Sequence, residues 1–262
     1  DKLTSPTAVT GAASGLGAAV AARLRAESRP VIGLDMKEAD GVDVVADLGT
    51  PEGRAHAIAE VERMSGGALD GLVSCAAASP IHPDPAVVIS VNHFGALAML
   101  DGLLHCLRLG HAPAAVAISS IGSVAGPFDD MLTRTVLAGD EELARAAAAD
   151  GTDYRSAIAY NSAKVGVALG VRSRAAVWAA EGVRLNCVAP GRMETPMLDG
   201  LVADPVIAAG LEEMPTGIRI SATPQEIGGA VVFLLGPDAS FVHGQVLFVD
   251  GGVEAELRPD HF

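Results

Sequence analysis

The chain reads as one doubly wound α/β domain, a seven-stranded parallel sheet with helices on both faces. Three observations predict it. Short continuous apolar runs alternate with helix-period segments from end to end, and strands that are apolar on both sides belong in a parallel sheet covered on both faces. The first such run leads straight into a glycine-rich turn and then a helix. Finally, the 262 residues are 50% hydrophobic but only 3% aromatic, with 30 glycines. That is a core of Ala, Val, Leu and Ile, in which helices lie close against a sheet.

In order, Thr7–Thr10 reads as a buried strand, and the glycine turn after it opens a helix over Ala18–Glu27. Pro30–Asp35 and Val42–Asp47 are the second and third strands. A helix over Thr50–Met64 has Thr50 as N-cap and Pro51 at its first position, where a missing N–H costs nothing. Leu69–Cys75 is the fourth strand, and an Ala/Leu helix covers about Val87–Leu109. Ala114–Ser119 is the fifth strand, Ala157–Glu181 a long helix and Val183–Val188 the sixth strand. A helix over Pro224–Leu235 precedes the last strand, Gln245–Val249. No linker or charge block divides the chain, so residues 1–262 are expected to form a single domain.

Composition excludes several classes of function. Eighteen Lys+Arg against 32 Asp+Glu give a net charge of −14, which lacks the cationic footprint of a nucleic-acid or anionic-membrane binder. Few aromatics leave no stacking platform for bases or sugars. The three cysteines, Cys75, Cys106 and Cys187, lie in apolar surroundings without a CxxC; they read as buried small hydrophobes, and neither a disulfide framework nor a metal site is expected. The polar start Asp1–Pro6 shows no signal-peptide pattern, and runs such as Val231–Leu235 are far below the about 20 residues of a membrane span. The expectation is a cytoplasmic protein.

The turn Thr10-Gly11-Ala12-Ala13-Ser14-Gly15-Leu16-Gly17 stands where a dinucleotide fingerprint requires it. Gly11 permits the tight turn, Gly15 and Gly17 allow close backbone approach, and the helix N-terminus faces a pyrophosphate. Asp35 ends the second strand eighteen positions after Gly17. A carboxylate there accepts hydrogen bonds from the adenosine ribose and repels a 2′-phosphate. No Arg stands directly beside it, although Lys37 is near; NAD(H) is favoured over NADP. Met36 adjoins Asp35, and Asp47-Leu48 ends the third strand on the side where an adenine would lie. These features make the domain Rossmann-type.

Tyr160 and Lys164 lie at i and i+4, on one helix face. An ammonium there favours the phenolate, so that a tyrosine transfers a proton nearer neutral pH. Tyr154 has Ile158 at i+4, lacks this partner, and reads as structural.

Together these motifs resemble the short-chain dehydrogenase/reductase family over nearly the whole chain. Thr10–Gly17 matches the family's TGxxxGxG. Val91-Asn92-His93-Phe94-Gly95 matches the segment with the family's active-site Asn. Ser120 matches its Ser, and Tyr160 with Lys164 its YxxxK. Asn186–Gly191 with Thr195 matches NxxxPG…T, and Asp250-Gly251-Gly252 its closing turn. The resemblance implies Tyr160 as general acid/base, Ser120 as hydrogen-bond donor to the substrate oxygen, Lys164 at the nicotinamide ribose, and Asn92 holding a water relay. It implies cofactor contacts at Gly11, Ser14, Gly15, Leu16, Gly17, Asp35, Met36, Asp47, Leu48, Cys75, Ala76, Ala77, Pro190, Gly191, Met193 and Thr195.

Three departures are informative. Ser74-Cys75-Ala76-Ala77 replaces the family's NNAG. The stretch from Ala78 to Asn92 is broken by Pro80, Pro83 and Pro85, and the usual helix there is expected to be lost or cut to a turn. Forty positions separate Ser120 from Tyr160, far more than is common in the family. The added stretch, 127–156, is expected to form two helices, one over Asp129–Leu137 and one opened by Asp140 with an acidic first turn. It would obstruct the long-helix face used by many members to form tetramers.

These departures resemble the 3α-hydroxysteroid dehydrogenase/carbonyl reductase subgroup. That implies a bulky apolar carbonyl or secondary-alcohol substrate and a homo-oligomer, with a dimer through the Pro224–Leu235 helix and last strand. After Gly191, residues 192–220 carry Met193, Met197, Leu198, Leu201, Val202, Ile207 and Met214. They read either as a Met-rich lid over a large apolar substrate or as an ordinary amphipathic helix pair. His93 and His82 read as packing or surface residues, with substrate contact as the alternative. The rivals are a dehydrogenase for another alicyclic or aromatic alcohol, and a non-catalytic NAD-binding scaffold. A carrier-dependent ketoacyl reductase is disfavoured by the acidic chain and by Asp35.

Overall fold

The computed structural model describes residues 5–149 and 154–261. Seven strands form one parallel sheet in the order β3-β2-β1-β4-β5-β6-β7. They are β1 (Thr7–Thr10), β2 (Val31–Asp35), β3 (Val44–Val45), β4 (Gly71–Ser74), β5 (Ala114–Ile118), β6 (Arg184–Pro190) and β7 (Val246–Val249). Strand order reverses between β1 and β4. The crevice at the C-terminal ends of those strands is where such sheets bind ligands.

The helices are α1 (Gly15–Ala26), α2 (Pro51–Ser65), α3 (Pro85–Ile89), α4 (Ala96–Leu107), α5 (Gly122–Ala125), α6 (Asp130–Ala138), α7 (Glu141–Ala148), α8 (Arg155–Ala180), α9 (Pro196–Ala203), α10 (Pro205–Glu213), α11 (Pro224–Leu235) and α12 (Val253–Leu257). One apolar layer joins the sheet to α2, α4 and α8 through Val61, Leu100, Leu103, Val171 and Trp178. The other joins it to α1 and α11 through Leu16, Leu24, Ile227 and Val231. Local signals read from sequence are present as side-chain bonds. Thr50 Oγ1 accepts from the Gly53 amide at 3.0 Å, and Asp129 and Asp140 each accept from the third residue of the helix they cap at 2.9 Å. The end of α11 is held by Arg184, whose guanidinium donates to the carbonyls of Leu234, Gly236 and Ala239.

Two expectations are corrected. The third strand keeps only Val44–Val45 in the sheet. It lies at the edge, and the neighbouring Asp43 takes the Gly33 amide with its carboxylate at 2.7 Å. The proline-broken segment does not lose its helix. Pro85 stands at the first position of α3, capped by Asp84, and α3 runs through a π-helical stretch at Ser90–Gly95 into α4. The resulting 23-residue helix Pro85–Leu107 is long and apolar enough to cross a membrane by length and composition, and it starts two residues before the Ala/Leu helix expected from about Val87. More than half of its most apolar window is buried in the protein.

The insertion docks on this helix and on α8. Leu132, Val136, Ala144 and Ala148 form a third apolar cluster with Val88, Ile89, Ala159 and Ala163. Polar clamps frame it. The Arg54 guanidinium, 8% exposed, grips Glu141 through two bonds of 2.6 Å. Arg145 donates to Ser90 Oγ at 2.6 Å. Arg155 donates to the final α7 carbonyls of Ala147 and Ala148 and to Asp129. The N-terminal part of the long helix α8 is therefore covered by α6 and α7, while Leu169 and Val177 farther along it stay 43% and 60% exposed.

His93 is a core residue. It is 2% exposed, lies edge-on to Phe94 at 5.0 Å, and its Nδ1 has no hydrogen-bond partner among the described residues. Burial lowers its pKa to about 4. Between pH 4 and 6.5 the unfolded chain binds more protons at this group than the folded one. Stability therefore falls as pH drops through that window, by about 3 kcal/mol in all. Thermal midpoints measured from pH 4 to 7 should show a shallower acid slope in His93→Leu than in the unmodified chain.

Candidate active site

At the first βα turn, Gly15 has φ +54° and Gly11 φ +73°, a region in which a side chain is strained. A Cβ added to Gly17 would overlap the Gly11 carbonyl, and one on Gly15 would lie 3.4 Å from Thr195 Cγ2. The turn and Thr195 thus face each other across a gap that any side chain on Gly15 would fill. Ser14 is the N-cap of α1, and its side chain makes no cap bond. Asp35 ends β2 half-buried, its carboxylate accepting from the Ala13 amide at 3.1 Å and the Lys37 amide at 3.0 Å. Asp47 accepts from the Gly49 amide at 2.8 Å.

The sequence-predicted cofactor residues divide by what they expose. Leu16 and Leu48 have side chains in the core, 4% and 6% exposed, so only their backbone reaches the crevice. Met36 is 64% exposed beside Asp35. Cys75, Ala76 and Ala77 form the half-buried floor after β4. Cys75 differs in this from the fully buried Cys106 and Cys187, although burial still pushes its thiol up to about 11. On the far side, Pro190 ends β6, Gly191 donates to the Val249 carbonyl, and Met193 bridges to Ala222. Thr195 caps α9 by accepting from the Leu198 amide at 3.4 Å.

Sequence reasoning missed Thr10. Its hydroxyl accepts from the amides of Cys75 at 2.9 Å and Ala76 at 3.0 Å. It ties the floor to β1 where the usual Asn residues are absent; its place as the first residue of the TGxxxGxG match is the signal it leaves. Asn92 is buried in the π-helical stretch, and its amide holds the backbone N–H and C=O of Ala78 at 2.7 and 3.0 Å. The side chain thereby fixes the chain just after the floor. A π-helical stretch inside an α-helix is a frequent mark of a functional position.

Tyr160, Lys164 and Ser120 are brought together. Lys164 is 2% exposed; its Nζ donates to the Ile118 carbonyl at 2.9 Å and lies 5.5 Å from the Tyr160 ring centroid. Burial lowers its pKa to about 8. Burial raises the Tyr160 pKa, while the neighbouring Ser120 hydroxyl acts in the opposite sense. The expected fall in the phenol's pKa is therefore not a property of the protein groups alone. The serine pair has two tasks. Ser119 Oγ donates to the Lys164 carbonyl at 2.7 Å, anchoring α8 to the end of β5, whereas Ser120 faces the phenol and accepts from the Gly122 amide at 3.1 Å.

The enoyl-(acyl carrier protein) reductase family model matches residues 143–254. A 3-alpha-hydroxysteroid dehydrogenase/carbonyl reductase of Comamonas testosteroni is 39% identical over 97% of this chain and 98% of its own length. The chain is a short-chain dehydrogenase/reductase. A cis-4-hydroxycyclohexanecarboxylate dehydrogenase of Sinomonas cyclohexanicum is 35% identical over 94% of this chain and 95% of its own. The crystal structure of a 3-alpha-hydroxysteroid dehydrogenase from Pseudomonas sp. B-0831, complexed with NADH, superposes with a TM-score of 0.92 at 42% identity, covering 98% of this chain and all of the other. This short-chain dehydrogenase/reductase is an oxidoreductase acting on the alcohol/ketone pair.

Proposed function

We propose that the protein is an NAD(H)-dependent dehydrogenase/carbonyl reductase for bulky apolar secondary alcohols and ketones of the hydroxysteroid type. One observation carries the reading. Ser120 and Tyr160 lie together by the buried Lys164, and from Thr195, across from the glycine turn, start two apolar helices, α9 and α10, that have no buried residue. Helices that apolar and that exposed suit a lid of residues 192–220, able to close on an apolar substrate. The 3-alpha-hydroxysteroid dehydrogenases among the relatives support the substrate class.

The crevice fits a dinucleotide. The glycine turn presents backbone at the α1 N-terminus, where a phosphate binds, and Asp35 takes the ribose hydroxyls and disfavours a 2′-phosphate. When bound, the nicotinamide gives or accepts a hydride at the substrate's carbinol carbon. Tyr160 Oη passes the proton to or from the substrate oxygen, and Ser120 Oγ hydrogen-bonds that oxygen. Lys164 holds positive charge beneath the phenol, which favours its ionised form as the proton leaves. Asn92 keeps the floor chain in place through Ala78.

The test is a panel of a 3α-hydroxysteroid, an aromatic ketone and a small diol, followed by NADH absorbance, with NADP(H) run in parallel. Turnover of the steroid with NAD, at a kcat/KM above that of the diol, is expected; turnover of the diol alone favours a small-alcohol dehydrogenase. The relative named for a hydroxycyclohexanecarboxylate makes another alicyclic alcohol the second reading.

Assembly belongs to the same proposal. With α6 and α7 over the first turns of α8, an open apolar surface remains on α11 and the edge strand β7, where Phe233 and Leu247 stand 45% and 39% exposed. A homodimer through that face is expected. Sedimentation should show a dimer for the unmodified chain and a monomer for Phe233→Glu.

A further inference from the structure

Beyond the reacting groups, a cleft of about 420 Å³ lies between the rim 80–85, the end of the insertion, the start of α8 and the lid. Its place relative to the chemistry is set by the helix. Ser156, in its wall, is i−4 to Tyr160, hence one turn away on the same face, about 6 Å along the axis. The cleft therefore lies one turn of α8 from Tyr160, on the side of Tyr154.

Tyr154 has φ +60° and ψ 21°, a left-handed conformation unfavourable for a bulky side chain. Core packing gives no return for it, because Tyr154 is 47% exposed and lines the cleft. The two residues that follow it are held in place. Arg155, the next residue, is bound to Ala147, Ala148 and Asp129, and Ser156 Oγ donates to the His82 carbonyl at 2.6 Å. The aromatic ring is thus presented from a rigid frame, opposite Pro80, Ile81 and Ile207.

The lining mixes apolar side chains, among them Pro80, Ile81, Pro85 and Ile207, with an equal share of polar ones. Its charged members are already engaged. Arg155 pairs with Asp129 at 3.0 Å, and the Asp204 carboxylate accepts the Val206 and Ile207 amides at 3.0 and 3.1 Å. That leaves the Tyr154 hydroxyl and the His82 ring to meet a ligand's oxygen.

We propose that Tyr154 and the rim Pro80–Pro85 form a distal subsite that holds the uncharged, oxygen-bearing far end of an elongated alicyclic substrate while its near end reacts at Tyr160. The inference rests on the functional reading above and makes Tyr154 a specificity residue, in place of the structural role its sequence context suggests.

The test measures KM and kcat for two alcohols with NAD: a 3α-hydroxysteroid bearing a ketone at the far ring, and cyclohexanol, which cannot reach the cleft. Tyr154→Asn removes the ring and keeps a residue tolerant of positive φ. It should raise KM for the steroid about tenfold with little change in kcat, and leave both constants for cyclohexanol unchanged. Tyr154→Phe should raise the keto-steroid KM about threefold, and not that of a steroid without the far oxygen. Equal losses on steroid and cyclohexanol, or an unchanged steroid KM in Tyr154→Asn, would overturn the subsite alone. If the unmodified enzyme oxidises neither alcohol, the functional reading fails and the subsite with it.

Discussion

Tyr160→Phe is expected to lower kcat by about a thousandfold or more, the scale of a lost general acid/base, while NADH affinity stays within about twofold. The change removes one oxygen. The ring remains over Lys164, 5.5 Å from its Nζ, and the nucleotide turn around Gly11–Gly17 is untouched. Burial raises the phenol's pKa, and the Ser120 hydroxyl beside it acts in the opposite sense, so the proton donor lost is one set by its surroundings. Steady-state rates for the preferred alcohol, paired with a fluorescence titration of NADH, check both halves. A Phe variant retaining a tenth of the activity would move the proton transfer to another group. Parallel loss of NADH binding would show that the residue holds the cofactor site together.

Arg54→Met is expected to destabilise the fold by about 3–5 kcal/mol, the cost of breaking a buried ion pair by removing one partner. Arg54 is 8% exposed. It grips Glu141 with two short bonds and donates to the carbonyls of Leu48, Gly49 and Ser90. One side chain therefore joins α2, the loop after β3, the π-helical stretch and the insertion. Methionine fills part of the volume but leaves the Glu141 carboxylate and three carbonyls without their donor. For a chain of this size that loss corresponds to a fall in Tm of about 10 °C. Arg54→Met with Glu141→Gln should recover part of it, since the stranded charge is then gone; thermal unfolding of the single and double variants measures both.

The fold and the reacting groups are legible in the residues for a local reason. The βα alternation, the glycine turn, the Thr50, Asp129 and Asp140 caps and the Tyr160/Lys164 spacing each depend on neighbours within a few positions. Their structural counterparts follow directly. The two helices of the insertion were legible for the same reason, but what they cover was not. Their position depends on Arg54, Arg145 and Arg155 reaching residues far away in the chain.

Prolines misled in one place. Pro85 reads as a breaker, yet with Asp84 before it it starts a helix; the same residue terminates or nucleates according to whether the residues after it find a buried face. Asn92 carries a motif, but only the folded chain shows that its amide is closed on Ala78. Ser119 and Ser120 are adjacent and chemically identical. Only the twist of β5 and the position of α8 decide that the first anchors Lys164 and the second faces Tyr160.

By itself, the sequence determined the sheet-and-helix order, the nucleotide turn, the acidic end of β2 and the paired Tyr160 and Lys164, because these are encoded by periodicity, turn chemistry and i,i+4 spacing. The tertiary structure alone decided the protonation balance and the shape of the cleft at the start of α8. Burial sets the first: Lys164 has a pKa of about 8 and its ammonium donates to the Ile118 carbonyl. Long-range packing sets the second, since the rim at Pro80–Pro85, the start of α8 at Tyr154–Ser156 and the lid at Asp204 and Ile207 come from three separate stretches of the chain. Desolvation and shape both depend on what surrounds a group in space, and no spacing along the chain carries that.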